Sequence, residues 1–168
     1  MKRRHAIAAL AAATLAGCGN SRPDAGARWP ALAVRDLAGQ PLTLPPASGR
    51  ARVINLWALW CPPCRRELPA LDRLAAALAP RGIEVSTIAV ADDGFAIREY
   101  LAQHGLGLRS VVIPARLPGL ETLRVQTLPQ TFVVAADGAV LARWIGEREW
   151  DAPAVRRELD GALQTSGT

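Results

Sequence analysis

Apolar and polar positions along this chain fall into short blocks whose period changes repeatedly, and each change marks an element. Arg52-Val53-Ile54-Asn55-Leu56-Trp57-Ala58 is apolar on both alternating sets apart from Asn55, the pattern of a strand covered on both faces. Beyond Cys64 the spacing becomes three and four: Leu68, Leu71, Leu74, Ala75 and Leu78 draw one buried stripe along a helix. Pro69 falls inside that helix, where its missing N–H should kink the axis. Pro80-Arg81-Gly82 ends the element, and Ile83 to Val90 reads as a second buried strand. Asp92-Asp93-Gly94 then introduces Phe95, Ile97 and Leu101, spaced for a helix reaching about His104, and Ser110 to Ile113 supplies a third parallel strand.

The remaining blocks are hairpins and a closing helix. Thr131-Phe132-Val133-Val134 and Val140 to Ile145 flank Ala135-Ala136-Asp137-Gly138, whose Asp-Gly pair is a strong turn signal. Val34 to Leu37 and Pro41 to Leu44 flank Ala38-Gly39-Gln40 and suggest a smaller leading hairpin. Ala154, Val155, Leu159 and Leu163 outline the last helix. Strand, helix, strand, helix, strand, hairpin and helix together describe one α/β domain. Its expected form is a mixed central sheet flanked by helices on both faces, with a short N-terminal hairpin extension. A length of 168 residues, half of them apolar, suits one such domain with a real core.

The first residues break this pattern. Lys2-Arg3-Arg4-His5 precedes an Ala/Leu-rich run from Ala6 to Ala16, too short for the roughly 20 apolar residues of a membrane span. That combination reads as an export signal, residues 1–17, in preference to a structural N-terminal helix, because the apolar stretch has no polar face. Leu15-Ala16-Gly17-Cys18 resembles a bacterial lipoprotein processing box, so Cys18 is expected to open the mature chain and carry a lipid. Residues 18–29, polar and rich in Pro, Gly and Ala, form the lipidated N-terminus and tether, and 30–165 the domain.

Charge changes once the signal is removed. The formal net of +5 includes Lys2, Arg3 and Arg4; without them 17 basic residues face 15 acidic ones. The remaining arginines are scattered among acids and form no stripe, which gives a nucleic-acid partner little support. Lipidation of Cys18 also resolves the odd cysteine count, leaving Cys61 and Cys64 as a pair.

Two cysteines three apart at a helix start lie within disulfide reach. Cys61 would sit at the helix N-terminus, where free N–H groups and aligned peptide dipoles favour a thiolate. Pro62 and Pro63 occupy positions that need no hydrogen-bond donor, and their fixed φ presets the turn. The pair supplies a nucleophile, Cys61, and a resolving thiol, Cys64, without a cofactor. A structural zinc site would need about four ligands, and beyond this pair the mature chain offers a single histidine, His104. An inert disulfide would close so small a loop that it would constrain little of the unfolded chain.

Trp57-Ala58-Leu59-Trp60-Cys61-Pro62-Pro63-Cys64-Arg65-Arg66-Glu67-Leu68-Pro69 resembles the active-site segment of membrane-anchored, periplasmic thioredoxin-like proteins of the TlpA/ResA/CcmG type. The resemblance runs from about Trp29 to about Leu163. Pro69 matches the family's helix-kinking proline, and Gly138 and Trp150 fall where such proteins commonly have Gly and Trp. Leu128-Pro129-Gln130-Thr131-Phe132-Val133-Val134 is similar to the segment carrying the family's cis-proline, whereas local pattern alone would make Pro129 an ordinary trans proline opening a strand.

The resemblance implies a thioredoxin-like fold and roles for particular residues. Trp60, Pro62, Pro63, Leu128 and Pro129 would form the surface that binds substrate, and Trp57 would pack in the core. Ordinary thioredoxins bury an aspartate six residues before the first cysteine; here that position is Asn55, which cannot accept a proton. Related exported reductases instead place a functional glutamate at the position of Glu67, which would tune the thiols and move the proton of Cys64. The competing reading makes Glu67 a solvated helix residue paired with Arg66 or a neighbour.

The implied activity is thiol-disulfide exchange that reduces exported clients, such as apocytochrome c or copper-handling proteins. Electrons would come from an inner-membrane thiol-relay protein to a lipid-anchored, periplasm-facing monomer. A disulfide oxidase or isomerase shares the fold, but oxidases of that kind usually carry a large helical insertion, for which the stretch between Val90 and Val111 leaves no room. A thiol peroxidase would need a differently placed cysteine. A copper-binding assembly protein would need His104 to approach the cysteine pair.

Overall fold

The structure is a computed structural model that describes residues 27–91, 93–114 and 121–164. The signal segment, Cys18 and most of the tether lie outside these residues. Strands β1 (Leu32–Arg35) and β2 (Pro41–Leu44) form the leading hairpin, with Leu32 opposite Leu44 and Arg35 opposite Pro41. Asp36 shapes its turn, Oδ1 accepting the N–H groups of Ala38 at 2.9 Å and Gln40 at 2.8 Å. Strand β3 (Arg52–Trp57) is buried at every position, as its unbroken apolar pattern requires.

Helix α1 (Pro62–Leu78) follows, burying Leu68, Leu71, Leu74 and Leu78 along one stripe. It runs through Pro69, which is exposed, as a single element. A short 3-10 turn and Gly82 at φ +71 end it. Then come β4 (Glu84–Val90), α2 (Phe95–Gln103), β5 (Arg109–Ile113), β6 (Gln130–Val134), β7 (Val140–Ile145) and α3 (Pro153–Gln164). Helix α3 buries Val155, Leu159 and Leu163; Ala154, read as part of that stripe, is exposed.

The seven strands make one mixed sheet in the order β2-β1-β5-β4-β3-β6-β7. Strands β3, β4 and β5 are parallel, β6 runs antiparallel to β3, and β7 antiparallel to β6. The leading hairpin joins the same sheet, Arg35 pairing with Val112 of β5. Helices flank the sheet. Arg73 of α1 pairs with Asp151 just ahead of α3, and Arg81 with Asp160 on it, so α1 and α3 lie side by side. Tyr100 of α2 packs on Trp57, their rings 5.7 Å apart.

One boundary differs from expectation. Trp29, assigned above to the tether, is buried against Phe132 with ring centroids 5.4 Å apart. Its N–H donates to the Gly138 carbonyl at 2.8 Å, and the Val140 N–H donates to the Ala27 carbonyl at 2.9 Å. Residues 27–29 therefore belong to the fold. A single large apolar residue in a polar stretch has no period to reveal it, and its partners come from β6 and the turn that follows, about 100 positions away.

Strand directions fix where the chemistry sits. Strands β3, β4, β5 and β7 end at one rim of the sheet, and β6 begins there. Leu56 lies opposite Gln130, which lies opposite Ile145, so the turn after β3 comes beside Pro129 and Gly146.

Candidate active site

Cys61 is the N-cap of α1, extended at φ −103, with Pro62 and Pro63 as the first helical residues. Its N–H donates to the Ala58 carbonyl at 3.1 Å, and its sulfur accepts the Cys64 N–H at 3.3 Å. The Cys64 N–H and the aligned peptide dipoles of the helix start thus both favour charge on Sγ of Cys61. Cys61 and Cys64 form a disulfide across a Cα separation of 5.3 Å. Cys64 is fully buried and Cys61 is 5 % exposed, so an incoming sulfur can reach only Cys61. Pro62 is exposed and Pro63 half-buried. Trp60, 70 % exposed, stands beside the disulfide, whereas Trp57 is wholly buried.

Glu67, one helical turn beyond Cys64, is 2 % exposed. It does not pair with Arg66, whose guanidinium pairs with Glu147. Its Oε1 accepts the Asn55 side-chain N–H at 2.7 Å, and its Oε2 accepts the Arg148 backbone N–H at 3.1 Å and the Trp150 indole N–H at 3.2 Å. Burial pushes the carboxyl up from 4.5 to about 7; the three donors oppose that rise, and nearby Glu147 adds to it. A cavity of about 470 Å³ bordered by Glu67, Ala70, Arg66 and Glu147 lies beside it. The solvated-residue reading of Glu67 is therefore wrong.

The amide of Asn55 also donates to Thr131 Oγ1 at 2.9 Å. A strand residue, a helix residue and the indole of Trp150 thereby meet around one carboxyl. Local pattern marks Asn55 only for what it cannot do and gives no sign of Thr131 or Arg148, and the resemblance that marks Trp150 does not tie it to Glu67. Thr131 bonds Asn55, Arg148 and Trp150 bond Glu67, and all three lie 64 or more positions from Glu67 in sequence.

The Leu128–Pro129 peptide bond is cis. Pro129 is buried and Leu128 half-buried, and the Pro129 carbonyl accepts the Gly146 N–H at 2.9 Å. The backbone N–H and C=O of Leu128 bond to no other described residue. His104 stacks on Tyr100 at 4.1 Å, with Nδ1 2.8 Å from the Tyr100 carbonyl, at the far end of α2. Among the described residues, no group of three or more His, Cys, Asp or Glu side chains is placed to hold a metal ion.

A family model described as the AhpC/TSA family matches residues 25–143. The thiol-disulfide oxidoreductase ResA of Bacillus thuringiensis (strain Al Hakam) is 28 % identical over 139 residues, covering 83 % of this chain and 76 % of that one. A DsbE-type thiol:disulfide interchange protein of Chlorobium tepidum superposes with a TM-score of 0.71 at 25 % identity, covering 83 % of this chain and 98 % of that one. StoA of Bacillus subtilis shares the fold, with a TM-score of 0.62 at 17 % identity over 80 % of this chain and 96 % of that one. With a disulfide at a helix start, a cis-proline beside it and a matching family model over most of its length, the chain belongs to the AhpC/TSA family and is a thioredoxin-like thiol-disulfide oxidoreductase.

Proposed function

We propose that this enzyme reduces disulfides of exported proteins while held to the cell envelope by a lipid on Cys18. The observation that carries the direction is Glu67, a buried carboxyl one turn beyond Cys64. Strong oxidants of this kind owe their potential to a stabilised thiolate in the reduced state. An anionic carboxylate close to the dithiol disfavours further negative charge there and makes the pair a better electron donor.

In the reduced enzyme the Cys61 thiolate attacks a client disulfide. A Cys61–client bond forms, and the client's other sulfur leaves as a thiolate that takes a proton from solvent. Glu67 then accepts the proton of Cys64, whose thiolate attacks Sγ of Cys61. The Cys61–Cys64 bond forms, the mixed disulfide breaks and the second client sulfur departs as a thiolate that takes a proton from solvent. Two electrons have passed from the enzyme to the client. Trp60, Pro62, Pro63, Leu128 and Pro129 form the surface on which the client lies, the free backbone of Leu128 offering it one extra strand pairing.

An inner-membrane thiol relay restores the dithiol. The clients suggested by the resemblance are apocytochrome c haem-binding cysteines and thiols of copper-handling proteins. Equilibration of the purified protein with a thiol buffer tests the direction. A reduction potential of about −200 mV or lower supports the reading, and one near about −120 mV would make the enzyme an oxidase.

A further inference from the structure

The loop that carries Leu128 and Pro129 is held by a side chain from the neighbouring strand. Arg143, half-buried on β7, lays its guanidinium over the Phe132 ring, 5.3 Å from the centroid. Its Nε donates to Gln130 Oε1 at 3.0 Å; its Nη2 donates to the same oxygen at 2.6 Å and to the Arg124 carbonyl at 2.8 Å. Gln130 is 1 % exposed, and its Nε2 donates to the Thr127 carbonyl at 2.9 Å. Arg143 and Gln130 together grip the chain at Arg124, Thr127 and Gln130, on both sides of the cis bond. Arg124 sits at φ +50, a left-handed conformation that a non-glycine residue adopts when its surroundings impose it.

None of these bonds involves Cys61, Cys64 or Glu67. What they fix is the path of the segment whose unpaired backbone at Leu128 faces the rim. A loop already ordered in its bound shape spares a partner the entropy of ordering it, and a planar guanidinium bonded to one amide oxygen through two nitrogens is a rigid way to do so.

We propose that Arg143, acting through Gln130, is a positioning residue that sets the affinity for polypeptide clients by pre-ordering the 127–129 segment, and takes no part in the dithiol chemistry. The inference rests on the reading that a client backbone pairs at Leu128. It predicts a split between polypeptide and small-molecule disulfides. A chain segment needs the ordered loop; a small disulfide needs only access to Cys61.

The test compares wild type, Arg143→Met, Arg143→Lys and Gln130→Glu in full-length protein, with insulin and hydroxyethyl disulfide as substrates. Gln130→Glu keeps an acceptor for Arg143 but removes the donor to Thr127, so it probes the same clamp without deleting the arginine. Loss of the charged donors in Arg143→Met should raise KM for insulin about tenfold, loss of the neutral bond to Thr127 in Gln130→Glu should raise it at least about threefold, and Arg143→Lys should give a smaller rise than Arg143→Met. The rate with hydroxyethyl disulfide, kcat for insulin and the pH profile of Cys61 alkylation should stay within about twofold of wild type. Should Arg143→Met fail to fold, Gln130→Glu carries the test.

An unchanged insulin KM in folded variants would overturn the inference, as would an equal loss with both substrates. A wild type that reduces neither substrate sinks the functional reading instead, so the two failures are separable.

Discussion

Asn55 of β3 and Glu67 of α1 meet at 2.7 Å, amide N–H to carboxylate oxygen, both shielded from solvent. The strand position that carries an acid in ordinary thioredoxins here carries the donor, and the helix carries the acid. Loss of the Asn55 donor should let the Glu67 carboxyl rise further above 7, because that hydrogen bond favours the ionised form. Asn55→Leu is therefore expected to cost about 1–3 kcal/mol in urea unfolding of the oxidised protein, more at pH 8 than at pH 5. Equal losses at the two pH values would mean that Asn55 does not stabilise the anion.

Glu67 should also give the oxidised protein a distinctive pH dependence. Its folded value of about 7 lies above the ordinary 4.5, so between these values the native state holds a proton that the unfolded state has released. Stability from this group is present in full below about pH 4.5 and is lost as pH rises through about 7, by at most about 3 kcal/mol. Glu67→Gln should flatten that fall. Parallel stability-against-pH curves for the two proteins would contradict the assignment.

Tryptophans near the site should separate cleanly into two behaviours. Trp150 is fully buried, meets Trp144 edge-on at 5.8 Å and donates to Glu67, so Trp150→Ala should cost about 3–5 kcal/mol. Trp60→Ala should change stability by less than about 0.5 kcal/mol while slowing reduction of a protein disulfide. Thermal melts and insulin turnover read the two effects independently; a Trp60→Ala protein with full insulin activity would remove this residue from the client surface.

Gly138 is confined for two reasons at once. Its φ is +95, and a Cβ there would come 2.5 Å from the Pro46 carbonyl oxygen, a backbone atom that cannot swing away. Gly138→Ala should cost about 1–3 kcal/mol, measured by chemical denaturation. The oxidised variant should retain its disulfide, since the strain lies at the opposite end of β6 from Pro129.

Patterns confined to neighbouring residues were the readable part of this chain. The unbroken apolar run of β3, the four-leucine stripe of α1, the Asp-Gly turn after β6 and the paired cysteines each express a local rule, and each element formed within a residue or two of its expected span. Glu67 was harder, because Arg65-Arg66-Glu67 looks like a solvated charged face. The helix instead turns Arg66 outward to Glu147 and Glu67 inward to Asn55. Trp29 and the Arg143–Gln130 clamp left no trace in the pattern, since their partners come from segments that the sheet order alone brings together.

Trapping the covalent intermediate shows which of the two sulfurs attacks the client and which resolves the adduct. Reduced Cys64→Ser protein, mixed with insulin and run on a non-reducing gel, should accumulate a one-to-one adduct that a dithiol dissolves, while Cys61→Ser protein forms none. Adducts that appear only with Cys61→Ser, or with neither variant, would contradict attack by Cys61 and resolution by Cys64.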